Sequence, residues 1–176
     1  MIHLTHKQTV TLRDWFLPER PGPIIGSHVI QTGNGSCLVD RWPDPRAIVV
    51  ATADNYSFSG DAEALTPSDI QPHIKGFVEA PEAFAPLLRT AFPDLQTWPR
   101  VIFAQQDDPP PITAGTQPIR RLERSDTSLL EDLTPESAWI SKTWGGPHGL
   151  AASGFAWGAF AGEQLVSVAC TFSVSY

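Results

Sequence analysis

The apolar positions of this chain come in short bursts, and the spacing inside each burst predicts an element. Residues 13–17 read as a short helix ending at Pro18. Residues 23–32 read as a second, with Gly33 able to take the left-handed position past its end. Two β-rich runs, 37–42 and 47–52, flank Pro43-Asp44-Pro45, and that turn chemistry predicts a hairpin. Thr66-Pro67-Ser68-Asp69 opens a helix: Thr66 caps, Pro67 sits where a missing N–H costs nothing, and Asp69 faces the unpaired amides. Ile70, His73, Ile74 and Phe77 continue it at helical spacing, with Gly76 to end the turn. Phe84, Leu87, Leu88 and Ala91 repeat the i, i+3, i+4, i+7 pattern, and Pro86 makes this helix start late or kink. Residues 100–104 close the stretch as a strand.

The densest polar patch follows. Residues 105–118 hold three consecutive prolines and almost no apolar side chain, which favours an extended, solvated backbone. It reads as a linker over 107–118 between an N-terminal α/β domain at 1–106 and a second unit at 119–176. The second unit is the better patterned. Residues 119–122 form a short strand, and Ser125-Asp126 cap a helix carrying Leu129, Leu130 and Leu133. Thr134-Pro135-Glu136 starts another, which carries Trp139, Ile140 and Trp144 and stops at Gly145-Gly146. Residues 155–161 are a strand and Gly162-Glu163 a two-residue turn. In the strand after it, Val166, Val168, Cys170, Phe172 and Val174 share one face, predicted to meet a core. Ser167, Ala169, Thr171, Ser173 and Ser175 share the other, small and polar enough to line a cleft. The strand runs on to Tyr176, so the reading expects a further strand beside it and a longer parent protein.

Composition narrows the function classes. Twelve Lys and Arg against nineteen Asp and Glu leave a net charge of −7, and one short basic run argues against a general nucleic-acid binder. Hydrophobic residues at 41% and charged residues at 18% argue against disorder. Cys37 and Cys170 form no C-x-x-C pair, which removes zinc-ribbon and thioredoxin-type chemistry and predicts two reduced thiols. Residues 1–7 lack the apolar core of a signal peptide, and no apolar run approaches a membrane span. A cytoplasmic protein is expected.

Most candidate chemistry yields to a structural reading. His3-x-x-His6 has no third metal ligand nearby and reads as a solvated tail. No G-x-S-x-G elbow anchors a hydrolase triad. Gly33-Asn34-Gly35-Ser36 lacks the lysine and the strand–loop–helix order of a phosphate loop. Arg120-Arg121-Leu122-Glu123-Arg124, with its interleaved glutamate, reads as a charged sheet edge. One segment stands out. Trp144-Gly145-Gly146-Pro147-His148-Gly149-Leu150 combines a ligand-approachable loop, an apolar wall and a side chain that moves a proton near neutral pH. Its alternative is a connector between helices with Trp144 in the core.

The arginine-bearing strand 119–124 running into a capped helix, the two short helices, and the hairpin F-A-W-G-A-F-A-G-E-Q-L-V-S-V at 155–168 together resemble the first half of a GNAT-type N-acetyltransferase domain. The run from Trp139 to Thr171 is similar to a bacterial subgroup in which an extra N-terminal α/β domain precedes the catalytic one. The resemblance implies an α/β fold with a mixed sheet, acetyl-CoA as donor and a small-molecule or peptide amine as acceptor. The reaction would be direct transfer, with the deprotonated amine attacking a thioester held between two splayed strands. The family's Q/R-x-x-G-x-G/A loop, whose amides cradle the pyrophosphate, is absent from these 176 residues. No catalytic or cofactor-binding residue therefore carries over, and this chain is expected to be inactive alone. The acceptor side implies Trp144, His148, Thr171 and Ser173. The rival expectation is a non-catalytic interaction module whose C-terminal strand edge pairs with a partner or a second copy.

Overall fold

The structure is a computed structural model that describes residues 1–16, 24–99 and 118–174. The chain divides into two units, Met1–Phe103 with Val174–Tyr176, and Ala104–Ser173. The predicted strand at 100–104 and nearly all of the predicted linker lie outside the described residues.

The first unit is a five-stranded sheet in the order β1-β2-β3-β4-β5, formed by Ile2–His3, Ser36–Val39, Ala47–Thr52, Asn55–Gly60 and Phe77–Glu79. Neighbours are antiparallel except β4 and β5, which are parallel. The predicted hairpin is β2–β3. Its turn is closed by Asp40, whose Oδ1 accepts from the N–H groups of Arg46 and Ala47 at 2.8 and 3.0 Å. Both sheet faces are covered, so these strands are apolar throughout rather than alternating. Leu38, Val49 and Phe58 pack with Ile70, Phe84 and Leu88 on one side. Cys37, Val39, Ile48 and Val50 pack with Leu12, Ile25 and Val29 on the other.

Helices α1 (His6–Thr11) and α2 (Ile25–Thr32) serve the second of those layers, and α3 (Pro67–Ile70) and α4 (Ala85–Ala91) the first. Gly33 ends α2 in the left-handed conformation, as its position predicts. Arg13–Phe16 is a 3₁₀ turn, and Pro86 lies in the first turn of α4, which starts late.

Two expectations fail here for local reasons. Residues 1–7 are not a solvated tail: β1 pairs with β2, Thr5 and Gln8 form a reciprocal cap on α1, and His6 Nε2 meets the Ile30 carbonyl at 2.9 Å. The helix predicted to run from Thr66 through Ile74 to Phe77 ends at Ile70, and Phe77 does not extend it. Gly76 adopts a φ of 144°, the backbone closes on Asp54, and the Phe77 N–H donates to the Asp54 carbonyl at 2.9 Å, starting β5. A side chain at Gly76 would meet that carbonyl oxygen, so only glycine permits the approach.

The second unit is a three-stranded antiparallel sheet in the order β6-β7-β8: Ile119–Arg121, Ala156–Ala161 and Gln164–Cys170. Between β6 and β7 lie α5 (Thr127–Glu131), a 3₁₀ helix Ala138–Trp144, and α6 (Pro147–Ser153). The strands and the first two helical elements follow the predicted order, whereas α6 occupies residues that read as a loop in the sequence; the fold is mixed α/β. Asp126 precedes α5, but its side chain makes no cap there. It turns back to accept from both terminal nitrogens of the Arg120 guanidinium at 2.7 Å and from the Glu123 N–H at 2.8 Å.

The last strand corrects its prediction. β8 ends at Cys170, is an edge strand, and has no buried side chain; Val166 is 50% exposed. A register shift at Ala159/Phe160 breaks the strict alternation that the sequence suggests. The unit's buried side chains come instead from Leu122, Leu130, Trp144, Leu150, Ala156 and Phe160. Among the described residues no helix is long and apolar enough to cross a membrane.

Candidate functional site

The 3₁₀ helix Ala138–Trp144 runs along the end of β8, and three contacts fasten it there. The Trp139 and Phe172 rings lie 6.3 Å apart, the Cys170 thiol reaches the Ile140 carbonyl at 3.8 Å, and the Trp144 indole N–H donates to the Thr171 carbonyl at 2.8 Å. The helix stops because Gly145 takes a left-handed φ of 77°. Gly146 then precedes α6, whose first residue is Pro147.

The segment 144–150 is therefore not an open loop. Trp144 is buried, its ring stacked on Phe155 at 5.5 Å, and residues 147–150 form the first turns of α6. The alternative reading, with Trp144 in the core, describes this residue. His148 is exposed on α6. Thr171 is half-buried, and its backbone is used at both ends: its N–H donates to the Phe155 carbonyl at 3.0 Å and its carbonyl receives Trp144. The Ser173 hydroxyl is shielded and has no hydrogen-bond partner among the described residues. Of the four residues singled out from sequence, a hydrogen bond thus joins Trp144 to Thr171.

Sequence reasoning missed Phe155 as a partner of Trp144 and Trp139 as a partner of Phe172. Both pairs join residues at least eleven positions apart, which periodicity within one element cannot reveal.

The arginines of β6 are already engaged. Arg120 is held bidentately by Asp126 and sits 4.3 Å from the Phe160 ring centroid, while Arg121 lies 5.2 Å from that of Trp157. Hydrogen bonds from Arg120 hold the Asp126 carboxyl below the usual carboxylate range. A cavity of about 310 Å³ opens beside this pair, lined by Arg120, Leu129, Phe160 and Glu163. No cluster of three His, Cys, Asp or Glu among the described residues could hold a metal ion.

The resemblance to acetyltransferases implies an arginine-bearing strand, two short helices and a hairpin; the structure has these in that order, with α6 as a third helical segment between the first two strands. No family model and no solved structure matches the chain. A curated relative does: it is 38% identical over 162 residues, spanning 90% of this chain and 68% of the relative. That relative is described as an "Uncharacterized N-acetyltransferase in mutA 5'region" of Streptomyces virginiae. The chain belongs to the GNAT-type N-acetyltransferases.

Proposed function

We propose that this chain supplies the acceptor side of an enzyme that moves an acetyl group from acetyl-CoA to an amine. The observation that carries the reading is the 38% identity, sustained over 90% of the chain, to a protein named an N-acetyltransferase. The geometry adds how the acceptor side would be built. Trp144 acts through packing: its indole holds the Thr171 carbonyl and so fixes the backbone at the end of β8. His148, exposed on α6, is the imidazole that would serve as general base toward the acceptor amine. The Thr171 and Ser173 side chains offer hydroxyls, and a shielded hydroxyl without a partner favours a polar ligand group.

The residues present do not fit the pyrophosphate of acetyl-CoA. Among the described residues, the helix opened by glycines is α6. It has only seven residues, and Pro147 at its first turn has no N–H to give. Weak affinity for the donor is expected of this chain.

The test is transfer itself. The parent reading frame is sequenced past the Tyr176 codon, and its product is assayed beside the 176-residue chain for CoA release with a panel of primary amines. The expected result is amine-dependent release by a product carrying a glycine-rich loop, lowered by His148→Ala, and none from the 176-residue chain. A stop codon after Tyr176, with no amine-dependent release, overturns the proposal. A rise of several degrees in the chain's melting temperature with millimolar acetyl-CoA overturns the weak-affinity part.

A further inference from the structure

A second cavity, larger than the one beside Arg120, lies within the first unit and is lined by none of the acceptor-side residues. It is a cleft of about 520 Å³ between the edge strand β5, helix α4 and residues 95–98. Three features define what it takes.

The first is an aromatic wall. Phe77 and Trp98 both line the cleft, their ring centroids 6.4 Å apart at 47°, and Tyr56 joins them. Phe77 is 62% and Trp98 66% exposed, so two large apolar side chains remain in water. Leaving both exposed costs hydrophobic free energy that a flat apolar group laid against them recovers.

The second is charge: Glu79 of β5, which is otherwise engaged, lines the cleft, and Glu82 and Arg89 line it from the helical segment. Glu82 begins the 3₁₀ turn before α4 and Arg89 lies in its last turn. Both line the cleft, both are exposed, and neither makes an ion pair or side-chain hydrogen bond with another described residue. With the rise of the two helix types, seven residues set their backbones roughly 10–12 Å apart. Ala85 and Leu88 lie between them on the same wall. The wall is thus negative at one end, apolar in the middle and positive at the other.

The third is the strand edge. β5 ends the sheet order, so its outer side has no strand partner among the described residues. An extended backbone can pair with such an edge.

Taken together, we infer that this cleft binds a short zwitterionic peptide with an aromatic residue, its free amine at Glu82, its carboxylate at Arg89 and its aromatic ring against Phe77 and Trp98. Three extended residues span about 10 Å, which matches the separation of the two charges. A single amino acid is too short to reach both. A longer chain has no free terminus in register with each.

The probe is the tripeptide Ala-Phe-Ala with free termini, titrated calorimetrically into the full chain without acetyl-CoA, so the outcome is independent of acetyl transfer. Comparators are the N-acetylated form, the C-amidated form and Ala-Ala-Ala. Free Ala-Phe-Ala is expected to bind, each blocked terminus to weaken it roughly two- to five-fold as for exposed ion pairs, and Ala-Ala-Ala to bind least. Glu82→Gln should erase the penalty for acetylation and keep that for amidation, and Arg89→Gln should do the reverse. Trp98→Ala should remove the preference for Phe over Ala. No binding at about 10 mM peptide overturns the proposal. So does equal binding of free and blocked peptides, which needs no variant to fold. A uniform loss for every peptide in Glu82→Gln and Arg89→Gln also overturns it.

Discussion

Gly149 sits inside α6, where alanine is ordinarily the better residue by about 1 kcal/mol. The structure reverses that preference. A Cβ built on Gly149 falls 1.8 Å from the Trp144 carbonyl oxygen and 2.9 Å from its carbonyl carbon. Carbon and oxygen at rest need about 3.3 Å, so the two must separate by roughly 1.5 Å. The obstacle is backbone, and it cannot swing aside as a side chain would. It is tied in place by the Gly145 N–H on Lys142, the Gly146 N–H on Ser141 and the Leu150 N–H on Gly146. Overpacking of this kind costs about 2–3 kcal/mol. Moving Trp144 also loosens its bond to Thr171, which contributes about 1 kcal/mol more. Against the 1 kcal/mol of helix propensity, Gly149→Ala should therefore destabilise by about 2–3 kcal/mol. The melting temperature should fall by roughly 5–10 °C, at about 2–4 °C per kcal/mol for a chain of this length. Ala152→Gly, at an exposed position of the same helix, is the control and should cost about 1 kcal/mol from propensity alone. Thermal and urea unfolding of the three proteins decide the matter. A Gly149→Ala protein as stable as the parent would refute the close packing of α6 on Trp144.

Two further outcomes follow from the same structure. The Asp126 carboxyl is held below its ordinary value of 3.8, first by its hydrogen bonds from Arg120, so it stabilises the fold above about pH 4 and loses that contribution as pH falls through the folded value. Asp126→Asn should lower stability by about 1.5–3 kcal/mol at pH 7, and urea titrations should show the gap to the parent closing below about pH 4. Burial pushes the Cys37 thiol up to about 11, whereas Cys170 is raised but only half-buried. Iodoacetamide at neutral pH should alkylate Cys170 first and Cys37 only on unfolding; prompt labelling of Cys37 in the native protein would contradict its placement between β2 and α2.

Several elements were legible because their local signals and their tertiary roles agree. The runs at 37–39 and 47–52 are apolar on both faces because both are covered, and Asp40 with the Pro43-Asp44-Pro45 turn fixes their antiparallel return. The Thr66-Pro67 and Gly33 signals marked helix ends for the same reason: a cap is a local device and needs no distant partner. The acetyltransferase resemblance likewise rested on the order of elements in residues 119–170, and the 38% identity to a named N-acetyltransferase agrees with it.

Other features depended on contacts that no window of sequence contains. The strand β4 was missed because Ala53-Asp54 turns the chain with φ of 47° and 60°, a left-handed pair usually announced by Asn-Gly. Phe77 kept helical spacing with Ile70 and Ile74, yet Gly76 let its backbone close on Asp54 and made it a strand residue. Trp144 looked free to face a ligand until Phe155 and the Thr171 carbonyl claimed it. The sequence alone determined the β2–β3 strands, the helix ends at Thr66 and Gly33, and the family. Tertiary structure alone decided which side of Trp144 is used, where β8 ends, and that Glu82 and Arg89 share a cleft with Phe77 and Trp98. The physical reason is range: caps and alternation act within one or two turns of chain, whereas burial is set by whichever distant surface arrives to exclude water.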